Sequence, residues 1–358
     1  MGESEHDVSV DLKFDDEDAT GGGHDRLEFL KRAGAFGAVA AMGGVLAENA
    51  AAAPAASNDV YVWISQNSTL PLFVNRVYPG LAMAAKELGV TVKKAGPTNI
   101  DLAAYIATVE QWAAKKPAGI LVVGGWDPSL TNPVNDSNKK GIPTVVTDGD
   151  LPDSNRLCYF GTDWTQVGVQ QAKAMIAEHK ARGIKKGKVA TLSIFNADNM
   201  TAARNGFRDT LNGSGIDVVA NEDDAGASDT AAQKAAALLS AHHDLTGFAG
   251  FDSESGPGIV TALHEAGKTK KLIVTAMEQA PEFFKTVRDG ITSVLMVENY
   301  EVMEYYAIQM LHNYKHSNLQ SYHLPKNKAP NYPHTVDTGL IAVTKNNVGD
   351  LLKALKIK

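Results

Sequence analysis

The chain has 358 residues, enough for two domains, and with 44% hydrophobic residues it can bury a sizeable core. Its formal charge of −7 is carried by residues 1–55, which hold eleven acids against four bases, so the body is neutral and lacks an electrostatic footprint for nucleic acid or an anionic membrane. A single cysteine, Cys158, excludes an internal disulfide, a thiolate metal site and a CxxC redox pair, and beside an apolar run it reads as a small buried side chain.

The first 25 residues are polar, acidic and interrupted by Gly21–Gly23, a composition that predicts disorder. A basic patch, RLEFLKR at 26–32, is followed by an apolar stretch from Ala33 to Leu46 and an alanine-rich segment ending at Ala55. Basic patch, short apolar run and A-x-A site are the grammar of an export signal, and the run falls short of the roughly 20 residues a bilayer span needs. RLEFLK resembles the twin-arginine export pattern, with Leu27 where the second arginine belongs, so a Tat-like and a Sec route both stay open. The alternative is a surface helix with an alanine-rich linker. Residues 1–58 are therefore expected to be leader, signal and linker, with cleavage near Ala55 and a mature protein outside the cytoplasm.

From Val60 on, short β-branched runs alternate with amphipathic stretches, the signature of βαβ units and parallel sheets. Strands are expected at 60–65, 90–94, 119–123, 144–147, 188–193, 217–220, 247–251, 272–276 and 291–297. Helices lie between them, among others at 73–88, 101–115, 166–182, 201–211, 230–242 and 258–266. Each half offers about four strand–helix units, with a seam near Gly161-Thr162-Asp163. Ligands of such sheets sit beyond the carboxyl ends of the strands. Two lobes would face those loops across a cleft, and the stretch VTDGDLPDSN, beginning at Val146, would point Asp148 into it.

Enzyme signatures are lacking: no GxxxxGK[ST] loop, no GxGxxG after the first strand, no HExxH and no GxSxG elbow. The DxD at Asp148 and Asp150 has the form of an aspartate-nucleophile phosphatase, but Pro152 stands where a threonine is needed. Asp148, Asp150 and Asp153 do not match a calcium loop, and His242 and His243, adjacent on a helix end, diverge. No catalytic residue, metal or cofactor is expected. What remains are single polar and aromatic residues at strand ends: Phe73, Trp126, Asp148 and Trp164 on one side, then Asn196, Asn199, Arg204, Asp252, Glu278 and Glu298 on the other. Flat apolar faces with carboxylates and an arginine suit a neutral polyhydroxylated molecule. Trp126 also fits a packing residue at the rim, and Asp252 a helix N-cap. Asp150 and Asp153 fit the turn around Pro152, with side chains capping local backbone donors.

ISQNSTLPLFVNRVYPGLAMAAKELGV, KPAGILVVGGWDPSL, GIPTVVTDGDLPDSNRLCYFGTDWTQVG, NMTAARNGFRDTL and GIVTALHEAGK together resemble the ribose-binding type of periplasmic solute receptor, the substrate-binding component of sugar ABC transporters. The likeness covers about residues 60–355 in order. It implies an α/β fold of two Rossmann-like lobes joined by a three-crossing hinge, the chain returning to the first lobe after Val297. The lobes become 59–162 plus 298–330 and 163–297 plus 331–358. By the same resemblance Asp148 and Arg204 grip sugar hydroxyls and Phe73 keeps the ring of the first loop. Gly149 stands in place of an arginine, Phe251 of an asparagine, Met277 of an aspartate and Glu298 of a glutamine. That exchange makes the pocket more acidic and argues against ribose and against an acidic sugar, leaving another sugar, a polyol or an amine-bearing ligand.

The implied function is a monomeric periplasmic receptor that delivers a small neutral sugar-like ligand to an ABC permease, without catalysis. The candidate contacts are Phe73, Trp126, Asp148, Asn199, Arg204, Asp252, Glu278 and Glu298. Two alternatives stay open: the same fold presenting ligand to a chemoreceptor or sensor kinase, and a hydrolase using the DxD loop. A repressor of this fold is set aside because residues 1–55 lack a helix-turn-helix and are acidic.

Overall fold

The computed structural model describes residues 57–358 apart from 126, 278–279, 281–282, 317–331, 356 and 358. The leader expected over residues 1–58, its export signal and the Ala55 cleavage site lie almost wholly outside the described residues.

The described residues form two six-stranded sheets. The first holds β1 (Val60–Ile64), β2 (Thr91–Ala95), β3 (Gly119–Gly124), β4 (Thr144–Asp148), β5 (Tyr159–Gly161) and β11 (Thr335–Asp337), in the order β11-β5-β4-β3-β1-β2. All its pairs are parallel. The second holds β6 (Gly187–Ser193), β7 (Ile216–Asp223), β8 (Gly247–Gly250), β9 (Ile273–Met277), β10 (Val294–Glu298) and β12 (Leu340–Val343), in the order β12-β10-β9-β8-β6-β7. Here only β12 runs antiparallel, against β10. Each sheet thus repeats the doubly wound 2-1-3-4-5 order, whose switch point falls between its first and third strands.

Strand side chains alternate between two helix-covered faces. Tyr61 and Trp63 enter one core cluster while Val62 and Ile64 enter another, and Leu121 and Val123 part from Ile120 and Val122 in the same way. Parallel strands buried on both faces read as near-continuous apolar runs, which made the central strands visible, while the more exposed edge strands β2 and β7 showed through their β-branched residues. The three short ones, β5, β11 and β12, lie beyond that signal.

Ten α-helices are described: α1 (Tyr78–Leu88), α2 (Leu102–Ala114), α3 (Thr131–Lys139), α4 (Trp164–Ala181), α5 (Asp198–Leu211), α6 (Ser228–Ala241), α7 (Ser255–Glu265), α8 (Phe284–Arg288), α9 (Tyr300–His316) and α10 (Val348–Ala354). The stretch expected as one helix over 73–88 begins with a π-helical segment, Phe73–Val77, before α1 ends at left-handed Gly89. Arg76 of that segment forks onto Glu301 of α9, Nε to Oε1 at 2.6 Å and Nη2 to Oε2 at 3.0 Å. Such wide turns cluster at functional sites, and this one starts at a predicted contact residue.

Between α4 and α5 the backbones nearly touch: a Cβ on Gly168 would overlap the Ala203 carbonyl and lie 2.6 Å from the Phe207 nitrogen. Gly168→Ala should therefore destabilise the protein by about 1–3 kcal/mol through overpacking, read as a lower denaturant midpoint with an unchanged m-value.

Among the described residues the chain passes from one sheet to the other at three places: between β5 and α4, between β10 and α9, and between β11 and β12. The crossings are hydrogen bonded to each other. Thr162 Oγ1 donates to the Gly339 carbonyl at 2.8 Å, Thr338 N to the Gly161 carbonyl at 2.8 Å, and Asn299 Nδ2 to the Thr338 carbonyl at 2.9 Å. The expected lobe limits need two corrections. Glu298 still pairs with Leu340 in the second sheet, so that crossing falls at Asn299. Residues 331–358 do not belong to one lobe, because Thr335–Asp337 pairs with Tyr159–Gly161 in the first sheet and the last crossing falls at Thr338-Gly339. Three residues of strand add too little periodicity to be read from sequence. Much of the polar stretch before β11 lies outside the described residues.

Candidate functional site

Residues from both sheets' carboxyl ends line one cleft of about 780 Å³, counted to its open mouth. Gln66 and Asn67 follow β1, Gly124 and Asp148 close β3 and β4, Ile194 follows β6, Gly226 and Asp252 follow β7 and β8, and Met277 closes β9. They include residues of the switch-point loops after β1, β3, β6 and β8, where the strand order reverses and leaves room between neighbouring loops. Phe73, Asn199, Trp164 and Tyr300 complete much of the wall.

Asp148 is its best-anchored carboxylate. Its φ of 69° is left-handed, a conformation that Asp tolerates better than most residues. Its carbonyl oxygen accepts from Tyr159 Oη at 2.6 Å and from Trp164 Nε1 at 3.0 Å, and Tyr300 Oη donates to its Oδ1 at 3.2 Å. Although part of its surface opens to the cleft, burial of the rest pushes its pKa up to about 7 against the pull of Tyr300. Its neighbour Gly149 is a glycine for a local reason: a Cβ there would lie 2.6 Å from Gly125 Cα. The arginine of the ribose pattern has no space in this backbone.

Two further carboxyls stand behind Asp148. Glu298 is completely buried and neither of its oxygens is hydrogen bonded; the Tyr300 hydroxyl approaches it but meets bonding geometry only toward Asp148. Burial, reinforced by the charge of Asp148, pushes its pKa well above the carboxylate range. Glu304, also fully buried, accepts from Trp63 Nε1 at 3.2 Å, yet burial raises it to about 8. Its other oxygen and the Thr147 hydroxyl are near neighbours without a well-formed bond.

The second lobe has its own acidic pair. Asp252 accepts from Ile194 N at 3.1 Å through one oxygen and from Glu254 N and Ser255 N at 2.9 and 2.8 Å through the other. Asp252 thus caps backbone donors at the start of α7, as one sequence reading of it expects, and it also lines the cleft. Asp224 behind it, held by Ser255 Oγ at 2.6 Å, is raised to about 7 by burial and by the charge of Asp252. Among the described lining residues the charged groups are Asp148, Asp252 and Glu254, and none is cationic.

Of the eight candidates the structure brings four together in the cleft: Phe73, Asp148, Asn199 and Asp252. Phe73 is also core, its ring edge-on to Trp63 at 5.1 Å. Glu298 sits behind the wall rather than in it. Arg204 does not line the cleft. Its guanidinium is held by Ser193 Oγ, by the Ile194 carbonyl at 3.0 Å and by Thr201 Oγ1 at 2.8 Å, and it lies over the Phe195 ring at 4.9 Å, beside a separate surface cavity. A helix face could not be assigned to the cleft without knowing how α5 is rotated. Asn196 is exposed and lines no part of the cleft. Trp126 and Glu278 lie outside the described residues.

Asp150 accepts from Leu151 N at 2.7 Å, as a turn-shaping residue should, and also forks onto Arg156, at 2.6 Å from Nη2. Arg156 thus supplies the positive charge that a cation would otherwise bring. Cys158 is buried, and burial pushes its thiol up to about 12, so it is no nucleophile. Tyr300, Gln66 and Asn67 were not among the candidates. The last two directly follow the first strand, and the strand-end rule alone would have found them; Tyr300 enters only through the crossing at Asn299.

A family model described as periplasmic binding protein domain matches residues 61–317. The chain belongs to the periplasmic binding protein family. Among solved structures, this binding protein is similar to a sugar-binding protein of a sugar ABC transporter from Bacillus halodurans, at 28% identity and a TM-score of 0.73, covering 81% of this chain and 99% of that one. It is similar too to AraP, an arabinose binding protein from Geobacillus stearothermophilus, at 26% identity and a TM-score of 0.70, covering 82% and 99%. A carbohydrate transporter solute binding protein from Agrobacterium radiobacter in complex with D-arabinose shares the fold at 24% identity and a TM-score of 0.74, covering 85% and 99%. No match is found among curated proteins.

Proposed function

We propose that this periplasmic binding protein is an exported receptor that captures a neutral sugar or polyol in the interlobe cleft and delivers it to an ABC permease. The observation that carries the reading is the cleft's wall: Asp148 and Asp252 come from opposite lobes, Phe73 and Trp164 line the same cleft, and no cation is present among the described lining residues. Ionised carboxylates accept pairs of hydroxyl protons, and ring faces cover the C–H side of a sugar. The same set repels an acidic sugar. The similar Bacillus and Geobacillus proteins are described as binding sugars, which supports this ligand class.

Phe73, Asp148, Asn199 and Asp252 are the ligand contacts in this reading, joined by Gln66, Asn67 and Tyr300; Trp126 and Glu278, next to strand ends in the sequence, complete it. The lobes close by bending at the three hydrogen-bonded crossings, driven by contacts that only the closed state makes to both sides. The protein acts as a monomer and does no chemistry on its ligand. Residues 1–58 act as its export leader.

Thermal unfolding against pentoses, hexoses, polyols and amino sugars tests this. A ligand at 1,000 times its Kd adds about 4 kcal/mol, which raises Tm by roughly 8 °C or more. A flat response across the panel would overturn the reading.

A further inference from the structure

Far from the cleft residues, the start of β1 meets the last turn of α9. Asp59 presents one carboxylate oxygen to His316 Nε2 at 2.6 Å and the other to Lys315 Nζ at 2.6 Å. His312 and His316 stand one helical turn apart, their ring centroids 4.5 Å from each other. The Tyr61 hydroxyl, 3.4 Å from His312 Nδ1, orients that ring from the core side. One ligand atom from each of Asp59, His312 and His316 lies within 4.8 Å of the other two.

We infer that Asp59, His312 and His316 form a binding site for a zinc-class divalent cation, with water as the fourth ligand. Two histidines at i and i+4 on a helix are a standing arrangement for zinc, and a carboxylate completes a usual N2O donor set. A tetrahedral ion with bonds of about 2.0–2.2 Å spaces its ligand atoms about 3.4 Å apart, so rotation of partly exposed side chains closes the set. The side chain of His316 is 40% exposed and that of Asp59 12%, which leaves the ion a way in. Lys315 is the competitor: its ammonium occupies an Asp59 oxygen and must leave when the ion arrives. Bound there, the ion pins the point where the leader joins the fold to the end of α9. The site does not depend on what the cleft binds.

The test is calorimetric titration of Zn²⁺ into the untagged, chelator-stripped full chain at pH 7.5, where ordinary imidazoles are mostly neutral. We expect one ion per chain and a Tm gain of about 5 °C or more at a hundredfold excess over Kd. Asp59→Asn, His312→Gln and His316→Gln should each weaken binding by more than the roughly 10–100-fold that loss of an outer partner costs. Lys315→Gln should tighten it. Zn²⁺ binding unchanged in the double variant His312→Gln/His316→Gln, or no saturable binding by the wild-type chain, overturns the assignment. If a histidine variant does not fold, Lys315→Gln decides: tighter binding than wild type supports the site, and unchanged or weaker binding overturns it.

Discussion

Replacing Asp148 by asparagine is expected to cost at least about 100-fold in affinity for the ligand found in the thermal panel, since two charge-assisted hydrogen bonds are worth roughly 1.5–3 kcal/mol each and a buried polar site left unpaired rejects its ligand strongly. The fold should not suffer. Asparagine tolerates the left-handed backbone at φ 69°, two of the three donors on this residue bind its main-chain carbonyl, which the substitution leaves in place, and an asparagine Oδ1 can still accept from Tyr300 Oη. It also removes an acid that burial holds near pH 7. At pH 8 the variant should therefore unfold at the same temperature as the parent or above it, while Asp148→Ala, strained at positive φ, should lose about 1 kcal/mol. Affinity in the parent should rise with pH through about 7 as Asp148 ionises and becomes the better acceptor. Isothermal titration decides: an asparagine variant within threefold of the parent would remove Asp148 from the site.

The ligand-free protein should lose stability as pH rises from 5 to 8, the reverse of common acid denaturation. An acid whose folded pKa lies above its unfolded one holds its proton more tightly in the native state. The stability it contributes is complete below the unfolded pKa and is lost as pH climbs through the folded one. Asp148 and Asp224 rise from 3.8 to about 7 and Glu304 from 4.5 to about 8, each chiefly through burial. The titratable groups coupled to Asp148 are Tyr300, Glu298, Glu304, Tyr105 and Tyr159, with no base among them to favour ionisation. Asp59, lowered to about 2 by its Lys315 and His316 partners against burial, works in the opposite direction but only below pH 4, and His179 and His312, each lowered chiefly by burial, offset part of the loss near neutral pH. One such group contributes about 1.4 kcal/mol per pH unit between its two pKa values, so Tm should fall by roughly 5 °C or more over this range. Glu304→Gln keeps an acceptor for Trp63 Nε1 and should flatten the profile. A Tm that climbs from pH 5 to 8, or a slope unmoved by Glu304→Gln, would refute the account.

Legibility in the sequence followed how local each signal is. Phe73, Asp148, Asn199 and Asp252 could be found because a residue just past a buried strand, or at the helix start facing it, is delivered to the sheet's carboxyl edge by chain direction alone. Arg204 lies a turn and a half into α5, where the helix's rotation decides which way it points, and Ser193, Ile194 and Thr201 turn it outward. Glu298 was found at the right strand end but at the wrong depth. Whether a terminal carboxylate lines a cleft or stands behind it depends on Tyr300 and Asp148, two residues from other elements.

By itself, the sequence determined the alternation of strand and helix, the division into two similar halves, the neutral body and the aspartate that closes the fourth strand. All of these are written in apolar periodicity and composition, which short-range sterics and solvation translate directly. Only the tertiary structure decided that the tail splits between the sheets at Thr338-Gly339, that no cation lines the described cleft, and that Glu298 and Glu304 are buried behind the cleft-lining Asp148. It also brought Asp59 to His312 and His316, some 250 residues away. Such meetings come from long-range packing, for which the sequence carries no periodic mark.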